Sequence, residues 1–389
     1  MDPRLIKQAV DQQPSLPGNT SQAEPRLASY FRAMMKQAAT DLHIRAGHAP
    51  CIRVRTEVVP TQAQPLSAED IRQLAYELMT PRQQEVFEEI GNTDVAYELA
   101  GSDRFRVNIY RQRGNVAMAV RRVLRDIPDF EALRLPPVLA EIAREPHGLI
   151  LLSGGSGSGK STTIASMIDH VNKTRACHIL TIEDPIEYLF EDKRAIISQR
   201  EIGIDCDSFP TALKYLMRED PDVVLIGEMR DHETFMAALQ AAETGHLVFG
   251  TVHASSASQT VGRILDLVGA ENRDVYRLSL AYNLRAIICQ SLLPSVAKGV
   301  DRVPALEILR TTPSVRQLIE EHRELELPDV IRASQGEGMQ TLTKSLVDLI
   351  DSDMIDPQAA YKAAPNAEEL KMHLKGITAS QTGLIGRGG

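Results

Sequence analysis

The sequence contains no tryptophan, few aromatic residues and only four cysteines among its 389 residues. Aromatic residues make up 4% of the chain, so its hydrophobic cores must be mainly aliphatic. The cysteines form no C-x-x-C pair, which excludes a zinc ribbon and provides no disulfide framework. They are Cys51, Cys177, Cys206 and Cys289. We expect free thiols in a reducing compartment.

A membrane span and an excess of positive charge are also absent. The N-terminus has no signal-peptide pattern, and no apolar run approaches the roughly 18 residues that a transmembrane helix needs. We therefore expect a cytoplasmic protein that would contact a membrane only through a partner. The formal net charge is −9, which argues against a general nucleic-acid binder because phosphate contacts require a basic surface.

The length of the chain suits two or three domains. Residues 1–25 are rich in Gln, Pro and small polar residues and are predicted to be a flexible leader, and residues 376–389 a flexible tail. Between them we expect a small α+β domain over 26–127, a proline-containing linker over 128–147 and an α/β domain over 148–375.

Hydrophobic periodicity predicts the elements of both domains. The first domain is predicted to have a helix over 27–39, strands over 41–45, 52–58 and 95–99, a helical stretch over 68–89 that begins after Ser67, and paired strands over 105–110 and 117–123 with Gly114 in the turn. The second is predicted to have buried strands over 149–152, 178–182, 222–226 and 247–251, and helices over 281–374. Alternation of strands with helices indicates a mostly parallel sheet with helices on its faces.

Residues 154–161 read GGSGSGKS and match the phosphate-binding loop G-x-x-x-x-G-K-[ST], between a predicted strand and a predicted helix. Backbone N–H groups of such a loop approach the phosphates of ATP, and the helix N-terminus adds positive potential. We expect Lys160 to reach the outer phosphates and Ser161 to ligate Mg²⁺. The predicted ATP contacts are Gly154, Gly155, Ser156, Gly157, Ser158, Gly159, Lys160, Ser161 and Thr162.

A P-loop enzyme also needs a carboxylate that orients Mg²⁺ or the attacking water. The predicted strand 222–226 is followed by Gly227 and Glu228, whereas many P-loop enzymes have Asp in place of the glycine. The segment after strand 178–182 offers Glu183, Asp184 and Glu187 as a second source. Either a carboxylate of this segment polarises the water, or the segment is a solvated acidic loop; the spacing is compatible with both.

Histidines and arginines supply further candidates. His246 and His253 flank the predicted strand 247–251, and each is either an ordinary hydrogen-bonded histidine or a group that senses the γ-phosphate or bonds a carboxylate. The arginines of the predicted hairpin form either a solvated basic face or a set that reaches ATP in an adjoining subunit. They are Arg104, Arg106, Arg111, Arg113, Arg121 and Arg122.

Several collinear motifs together resemble the secretion and pilus motor ATPases, and among them the type IV pilus retraction ATPases of the PilT and PilU kind. They are KQAATDLHIRAGHAPCIRV (36–54), RFRVNIYRQRG (104–114), TIEDPIEY (181–188), GEMRD (227–231), AETGHLVFGTVHA (242–254) and GMQT (338–341). The resemblance covers residues 26–350.

This resemblance implies a homohexameric motor whose subunits have a PAS-like first domain and a RecA-like P-loop domain. With ATP and Mg²⁺ it would drive pilin depolymerisation and twitching motility, peripheral at the inner membrane through a pilus platform protein. Glu187 is implied as the catalytic carboxylate, Glu228 as its assistant at Mg²⁺ and water, and His246 and His253 as a histidine pair. The arginines implied to reach nucleotide are Arg106, Arg113 and Arg121.

Two departures from the family pattern bear on the alternatives. Assembly ATPases of the pilus and type II secretion systems usually carry a four-cysteine zinc motif, and its absence together with GMQT favours retraction. The segment DVIRASQGEG (329–338) is shorter than its usual counterpart, which together with the double arginine 121–122 favours the PilU side and leaves open a second retraction ATPase as partner. An assembly or secretion ATPase and a nucleotide-binding adaptor of a catalytic homologue remain alternatives; the acidic balance argues against a DNA motor.

Overall fold

The computed structural model describes residues 24–54, 57–99 and 103–375. The described residues divide into two compact units, with the division between Arg122 and Val123. The predicted leader, except for residues 24 and 25, and the predicted tail lie outside the described residues.

The first unit is an α+β domain, as predicted, built on a six-stranded sheet with the order β3-β2-β1-β6-β5-β4. Its strands are β1 (Asp41–Ile44), β2 (Cys51–Val54), β3 (Glu57–Pro60), β4 (Asn92–Glu98), β5 (Arg104–Gln112) and β6 (Asn115–Val123), and its helices are α1 (Ala28–Lys36), α2 (Ala68–Leu78) and α3 (Pro81–Ile90). Alternate residues of β5 are buried, and Phe105 stacks on Phe31 of α1 with ring centroids 4.3 Å apart. The core is therefore aliphatic with a few aromatic contacts.

The predicted helical stretch over 68–89 is two helices. Ser67 caps α2 as predicted, through a capping box with Asp70. Thr80 forms a second capping box with Gln83, and Pro81 stands at the first position of α3, where its missing N–H costs no hydrogen bond. Two consecutive start signals thus divide the stretch.

The second unit is built on a seven-stranded sheet with the order β13-β12-β7-β11-β10-β8-β9. Its strands are β7 (Gly148–Ser153), β8 (His178–Glu183), β9 (Ile196–Glu201), β10 (Val223–Ile226), β11 (Leu247–Val252), β12 (Leu284–Pro294) and β13 (Arg302–Arg310). Its α-helices are α4 (Val138–Ile142), α5 (Lys160–Thr174), α6 (Phe209–Leu216), α7 (His232–Glu243), α8 (Ala257–Asp266), α9 (Arg273–Asn283), α10 (Pro313–Glu320), α11 (Leu327–Ala333), α12 (Leu342–Asp351), α13 (Pro357–Ala363) and α14 (Ala367–Leu374). All neighbouring strands are parallel except β12 and β13, so the predicted mostly parallel sheet is confirmed.

Two predictions for this unit differ from the structure. The stretch 281–374, predicted as helices, contains strands β12 and β13. Both are apolar over most of their length because both faces are buried, and a continuous apolar run does not distinguish a buried strand from a helix. The predicted linker over 128–147 contains α4 and buries Leu135, Leu139 and Ile142 in the core of the second unit. Its prolines interrupt a packed segment.

The sheet topology brings the candidate residues together. Two hydrophobic clusters bury the two faces of β7. One includes Leu149 and Leu151, and the other includes Ile150 and Leu152. The parallel strands β7, β8, β10 and β11 all end at one edge of the sheet, which we call the carboxyl edge. The phosphate loop and the acidic segments follow these strands.

Candidate nucleotide site

The predicted phosphate loop joins β7 to α5 with the backbone that such a loop requires. Gly154, Gly157 and Gly159 have φ values of 149°, 72° and 88°. A Cβ at Gly154 would lie 2.3 Å from the carbonyl oxygen of Gln290 and 2.5 Å from Ser158 Oγ, so only glycine fits there. The six residues of β7 are buried, which gives the loop a rigid support.

Lys160 is the first residue of α5, and its side chain folds back over the loop. Its Nζ donates to the carbonyl oxygens of Gly154 at 2.8 Å and Gly155 at 3.0 Å. Burial lowers the pKa of Lys160, while the nearby carboxylates of Glu228 and Glu187 act in the opposite direction. The lysine and both predicted carboxylates therefore share one electrostatic environment.

These groups line one cavity of about 290 Å³ at the carboxyl edge. It is formed by the phosphate loop, the segment after β8 and the ends of β10 and β11. Of the predicted site residues, its lining contains Ser156, Gly157, Lys160, Ser161, Glu187, Glu228 and His253. Glu183, Asp184, Tyr188, Arg230 and Thr251 also line it.

Glu228 accepts two charged or polar contacts at the end of β10. His253 Nε2 lies 2.8 Å from Glu228 Oε1, and Arg230 Nη2 lies 2.5 Å from Oε2. Hydrogen bonding to Arg230, followed by the effect of His253, holds the pKa of Glu228 below its usual value. The carboxylate is thus kept ionised and its orientation is fixed.

The glycine that precedes this glutamate lies close to the backbone of β8. A Cβ at Gly227 would lie 3.2 Å from both Glu183 Cα and the carbonyl oxygen of Ile182. A side chain there would make a tight contact with the backbone of β8, which would have to give by a few tenths of an ångström. Thr251 Oγ1 donates to the carbonyl oxygen of Gly227 at 2.6 Å and holds this segment against β11.

The carboxylates at the end of β8 and in the segment after it have different surroundings. Glu183 is buried and accepts hydrogen bonds from Thr181 Oγ1 at 2.7 Å and Gln199 Nε2 at 3.2 Å. Burial raises its pKa to about 7. Glu187 is exposed to the cavity, and the hydroxyl of the adjacent Tyr188 lies 3.0 Å from Thr162 Oγ1, which ties this segment to α5.

The structure does not bring His246 to the cavity. It precedes β11 at the opposite, amino edge of the sheet, where its Nδ1 lies 2.9 Å from the carbonyl oxygen of Ala241 and 3.1 Å from Thr244 Oγ1. The six residues of β11 separate it from His253. The two histidines thus flank one strand at its two ends, as the sequence indicates, and the implied role of His246 in a histidine pair at the nucleotide stays a prediction.

The three arginines implied to reach nucleotide lie in the first unit, and Arg106 and Arg121 face carboxylates there. Arg106 Nε lies 3.5 Å from Asp94 Oδ1, and Arg121 Nε lies 3.0 Å from Asp41 Oδ1. Arg113 is exposed in the turn between β5 and β6, with a φ of 50°. Their predicted contact with nucleotide in an adjoining subunit stays a prediction.

The sequence prediction missed Gln290, Thr251 and Arg230. Arg230 lies in the GEMRD segment between Glu228 and Asp231, and this pattern of opposite charges was a signal for it in the sequence. Thr251 is an ordinary strand residue by sequence. Gln290 lies in a stretch predicted to be helical, which gave no reason to place it near the phosphate loop.

Comparison with known proteins identifies the family. Residues 19–343 match the family described as type II/IV secretion system protein. The chain belongs to this family. It is 41% identical over 329 residues to the type IV pilus retraction ATPase PilT of Pseudomonas aeruginosa, covering 85% of this chain and 95% of that protein. It is 38% identical over 345 residues to the type IV pilus ATPase PilU of the same organism, covering 89% and 90%.

A solved structure supports the same placement. The crystal structure of the pilus retraction motor PilT with bound ADP is 41% identical and superimposes with a TM-score of 0.83, covering 90% of this chain and 99% of that chain. The predicted resemblance to the PilT and PilU ATPases and the RecA-like α/β fold are confirmed. Among the described residues, no helix is long and apolar enough to span a membrane.

Proposed function

We propose that this protein is a motor ATPase that couples ATP hydrolysis to type IV pilus retraction by removing pilin subunits at the pilus base. The observation that carries the proposal is the cavity at the carboxyl edge, where Lys160 and Ser161 meet Glu187, Glu228 and His253. The similarity to PilT over 85% of the chain supports the coupling to retraction.

Hydrolysis at this site depends on positioning and electrostatics. The N–H groups of the loop and the ammonium group of Lys160 bind the outer phosphates. Glu187, exposed to the cavity, orients the attacking water. Glu228 is held in place by Arg230 and His253 and keeps negative charge beside that water.

The oxygen ligands in the cavity fit Mg²⁺. Ser161 offers a hydroxyl and Glu228 a carboxylate, both of the kind that Mg²⁺ prefers. Among the described residues, no group of three acidic, histidine or cysteine side chains could hold a metal alone, which agrees with an ion held largely by phosphates and water. When bound, Mg²⁺ neutralises charge on the phosphates.

We also propose a homohexamer in which Arg106, Arg113 and Arg121 of one subunit reach the nucleotide of its neighbour. Among the described residues, the lysine and arginine side chains that line the cavity are Lys160 and Arg230, and Arg230 is paired with Glu228. Further positive charge for the transition state would then come from an adjoining subunit.

The first test measures steady-state ATP hydrolysis by the purified protein with Mg²⁺, beside Glu187→Gln checked for normal assembly. We expect turnover by the wild type and a loss of at least about a hundredfold in the variant, as for general-base catalysis. A wild-type protein that assembles and binds ATP without turnover would instead be an adaptor of a catalytic homologue.

Contact across subunits is tested by mixing two inactive variants. Lys160→Ala disables the subunit's own phosphate site, and Arg113→Ala disables the group offered to a neighbour. Mixed rings should regain part of the activity if the arginine acts across the interface. No recovery in rings shown to contain both variants would contradict this arrangement.

The biological role is tested in a piliated bacterium that lacks its own retraction ATPases. Restored retraction would support the proposed function. Restored pilus assembly in a second strain, which lacks its assembly ATPase, would instead favour an assembly ATPase. We propose that force passes to the inner-membrane platform protein, so this protein should co-purify with it. Retraction only when a second retraction ATPase is added back would assign a shared motor.

A further inference from the structure

Gln290 is a buried residue of β12 that contacts the phosphate loop. It is 5% exposed and directly follows Cys289, where the pairing of β12 with β7 ends. Its Nε2 donates to the carbonyl oxygen of Ser158 at 2.9 Å, and its Oε1 accepts from Thr163 Oγ1 at 2.8 Å. One side-chain amide therefore connects the loop to the first turn of α5.

Two loop glycines also pack against this residue. A Cβ at Gly154 would lie 2.3 Å from the carbonyl oxygen of Gln290, and a Cβ at Gly159 would lie 2.7 Å from its Nε2. Both glycines have positive φ values. The beginning and the end of the loop are thus both shaped against Gln290.

The hydrogen bond to Ser158 also sets the direction of a neighbouring N–H group. The carbonyl of Ser158 and the N–H of Gly159 belong to one planar trans peptide unit, in which they point in opposite directions. Because Gln290 holds the carbonyl, the N–H of Gly159 is directed away from Gln290. Such loops bind phosphate through N–H groups that point into the concave side of the loop.

We propose that Gln290 is a positioning residue for nucleotide binding, which fixes the phosphate loop in its binding conformation through the peptide unit between Ser158 and Gly159. The inference rests on the proposed function, because it requires phosphate to bind at this loop. Gln290 acts on the ligand through the loop and does not contact it.

The test is Gln290→Glu, measured by titration of the nucleotide-free protein with a fluorescent ADP analogue at pH 8.5 and pH 6. The ionised carboxylate can still accept from Thr163 but cannot donate to Ser158, so at pH 8.5 we expect binding about thirtyfold weaker than wild type. A protonated carboxyl has the amide's donor and acceptor arrangement, and burial raises its pKa. At pH 6 we expect Gln290→Glu to bind less than about fivefold more weakly than wild type.

Three comparisons exclude a general loss of structure. Gln290→Leu removes both hydrogen bonds and should bind weakly at both pH values. Thr163→Val removes only the second bond and should cost less, about threefold to tenfold. Gln84→Glu, in the first unit, loses an amide that donates to the carbonyl oxygens of Tyr76 and Met79, and its ADP affinity should match wild type at both pH values.

The outcomes separate this inference from the proposed function. Recovery of affinity at pH 6 by Gln290→Glu alone supports the positioning role. Two results would overturn it: unchanged ADP affinity for Gln290→Leu, or a ratio of wild-type to Gln290→Glu affinity that is the same at both pH values. In either case, binding by the wild type would still support the nucleotide site. A wild-type protein that does not bind the analogue overturns both.

Discussion

The two edges of the seven-stranded sheet carry similar polar residues with different partners. At the carboxyl edge His253 contacts Glu228, which also contacts Arg230, so side chains pair with side chains around a cavity. At the amino edge His246 contacts the carbonyl oxygen of Ala241, and Asp222 accepts from the backbone N–H of His178 at 2.8 Å. There both side chains bond backbone groups, and His246 also contacts the Thr244 hydroxyl.

For these histidines and carboxylates, we expect the difference to separate side chains that act on a ligand from side chains that hold the fold. A side chain bonded to backbone groups satisfies polar atoms that would otherwise be costly to bury. A network of charged side chains beside an open cavity remains available to a ligand. Substitutions in the carboxyl-edge network should therefore mainly change catalysis, and substitutions at the amino edge should mainly change stability.

The largest effect is expected at the centre of the carboxyl-edge network. Glu228→Gln removes the negative charge between Arg230 and His253, and we expect kcat for ATP to fall about a thousandfold. Steady-state hydrolysis measures this, with ADP binding as the control for an intact loop. A fall of less than tenfold would mean that Glu187 supplies the essential carboxylate alone.

The second effect concerns stability and pH at Glu183. Burial raises its pKa from 4.5 to about 7, so the folded state binds the proton more tightly than the unfolded state. The stability contributed by the protonated form is fully present below the unfolded pKa and is lost as the pH rises through the folded pKa. The glutamine of Glu183→Gln does not titrate, so the variant does not lose this stability as the pH rises. Its free energy of unfolding relative to wild type should therefore increase by about 2 kcal/mol between pH 5.5 and 8.

Denaturant unfolding of the nucleotide-free protein at both pH values measures the difference. Thr181→Val, which removes a donor to Glu183 without removing the carboxyl, is the control that keeps the pH dependence. A stability difference between Glu183→Gln and wild type that is the same at both pH values would show that this carboxyl does not titrate in that range.

A smaller effect is expected for His253→Ala. It removes one of two contacts that orient Glu228, while Arg230 remains, so kcat should fall about tenfold with little change in stability. The double variant with Glu228→Gln should lose little more than Glu228→Gln alone. Additive losses would instead give His253 a role of its own at the nucleotide.

The smallest effect on catalysis is expected for the matched change at the amino edge, His246→Ala. Loss of its contact with the Ala241 carbonyl should lower the free energy of unfolding by about 1 kcal/mol and leave kcat within twofold. A loss of kcat equal to that of His253→Ala would contradict the division between the two edges.

The parts of the site that are formed by residues close together in the chain could be predicted from the sequence. The phosphate loop, the strands before it and after it, and the carboxylates that follow β8 and β10 could be predicted because each motif carries its own geometry. The sequence places His246 before and His253 after one strand of a parallel sheet, but the contact between His253 and Glu228 depends on a neighbouring strand and could not be predicted.

Long-range contacts account for the remaining differences. Gln290 is more than a hundred residues from the loop that it contacts, and its strand has the apolar composition of a buried helix. The space at Gly227 is limited by the backbone of another strand, which no local pattern reveals. Arg106 and Arg121 have partners within the first unit, so their sequence spacing does not indicate which of the arginines reach further.

The position of β7 inside the sheet has a consequence for motion during turnover. This strand has parallel neighbours on both sides, β11 and β12, and all six of its residues are buried. Its amide protons should exchange with solvent only when the second unit opens as a whole, and so among the slowest in the protein. The support of the phosphate loop would then keep its shape through many cycles of hydrolysis, and the movement that each cycle produces must arise in segments that exchange faster.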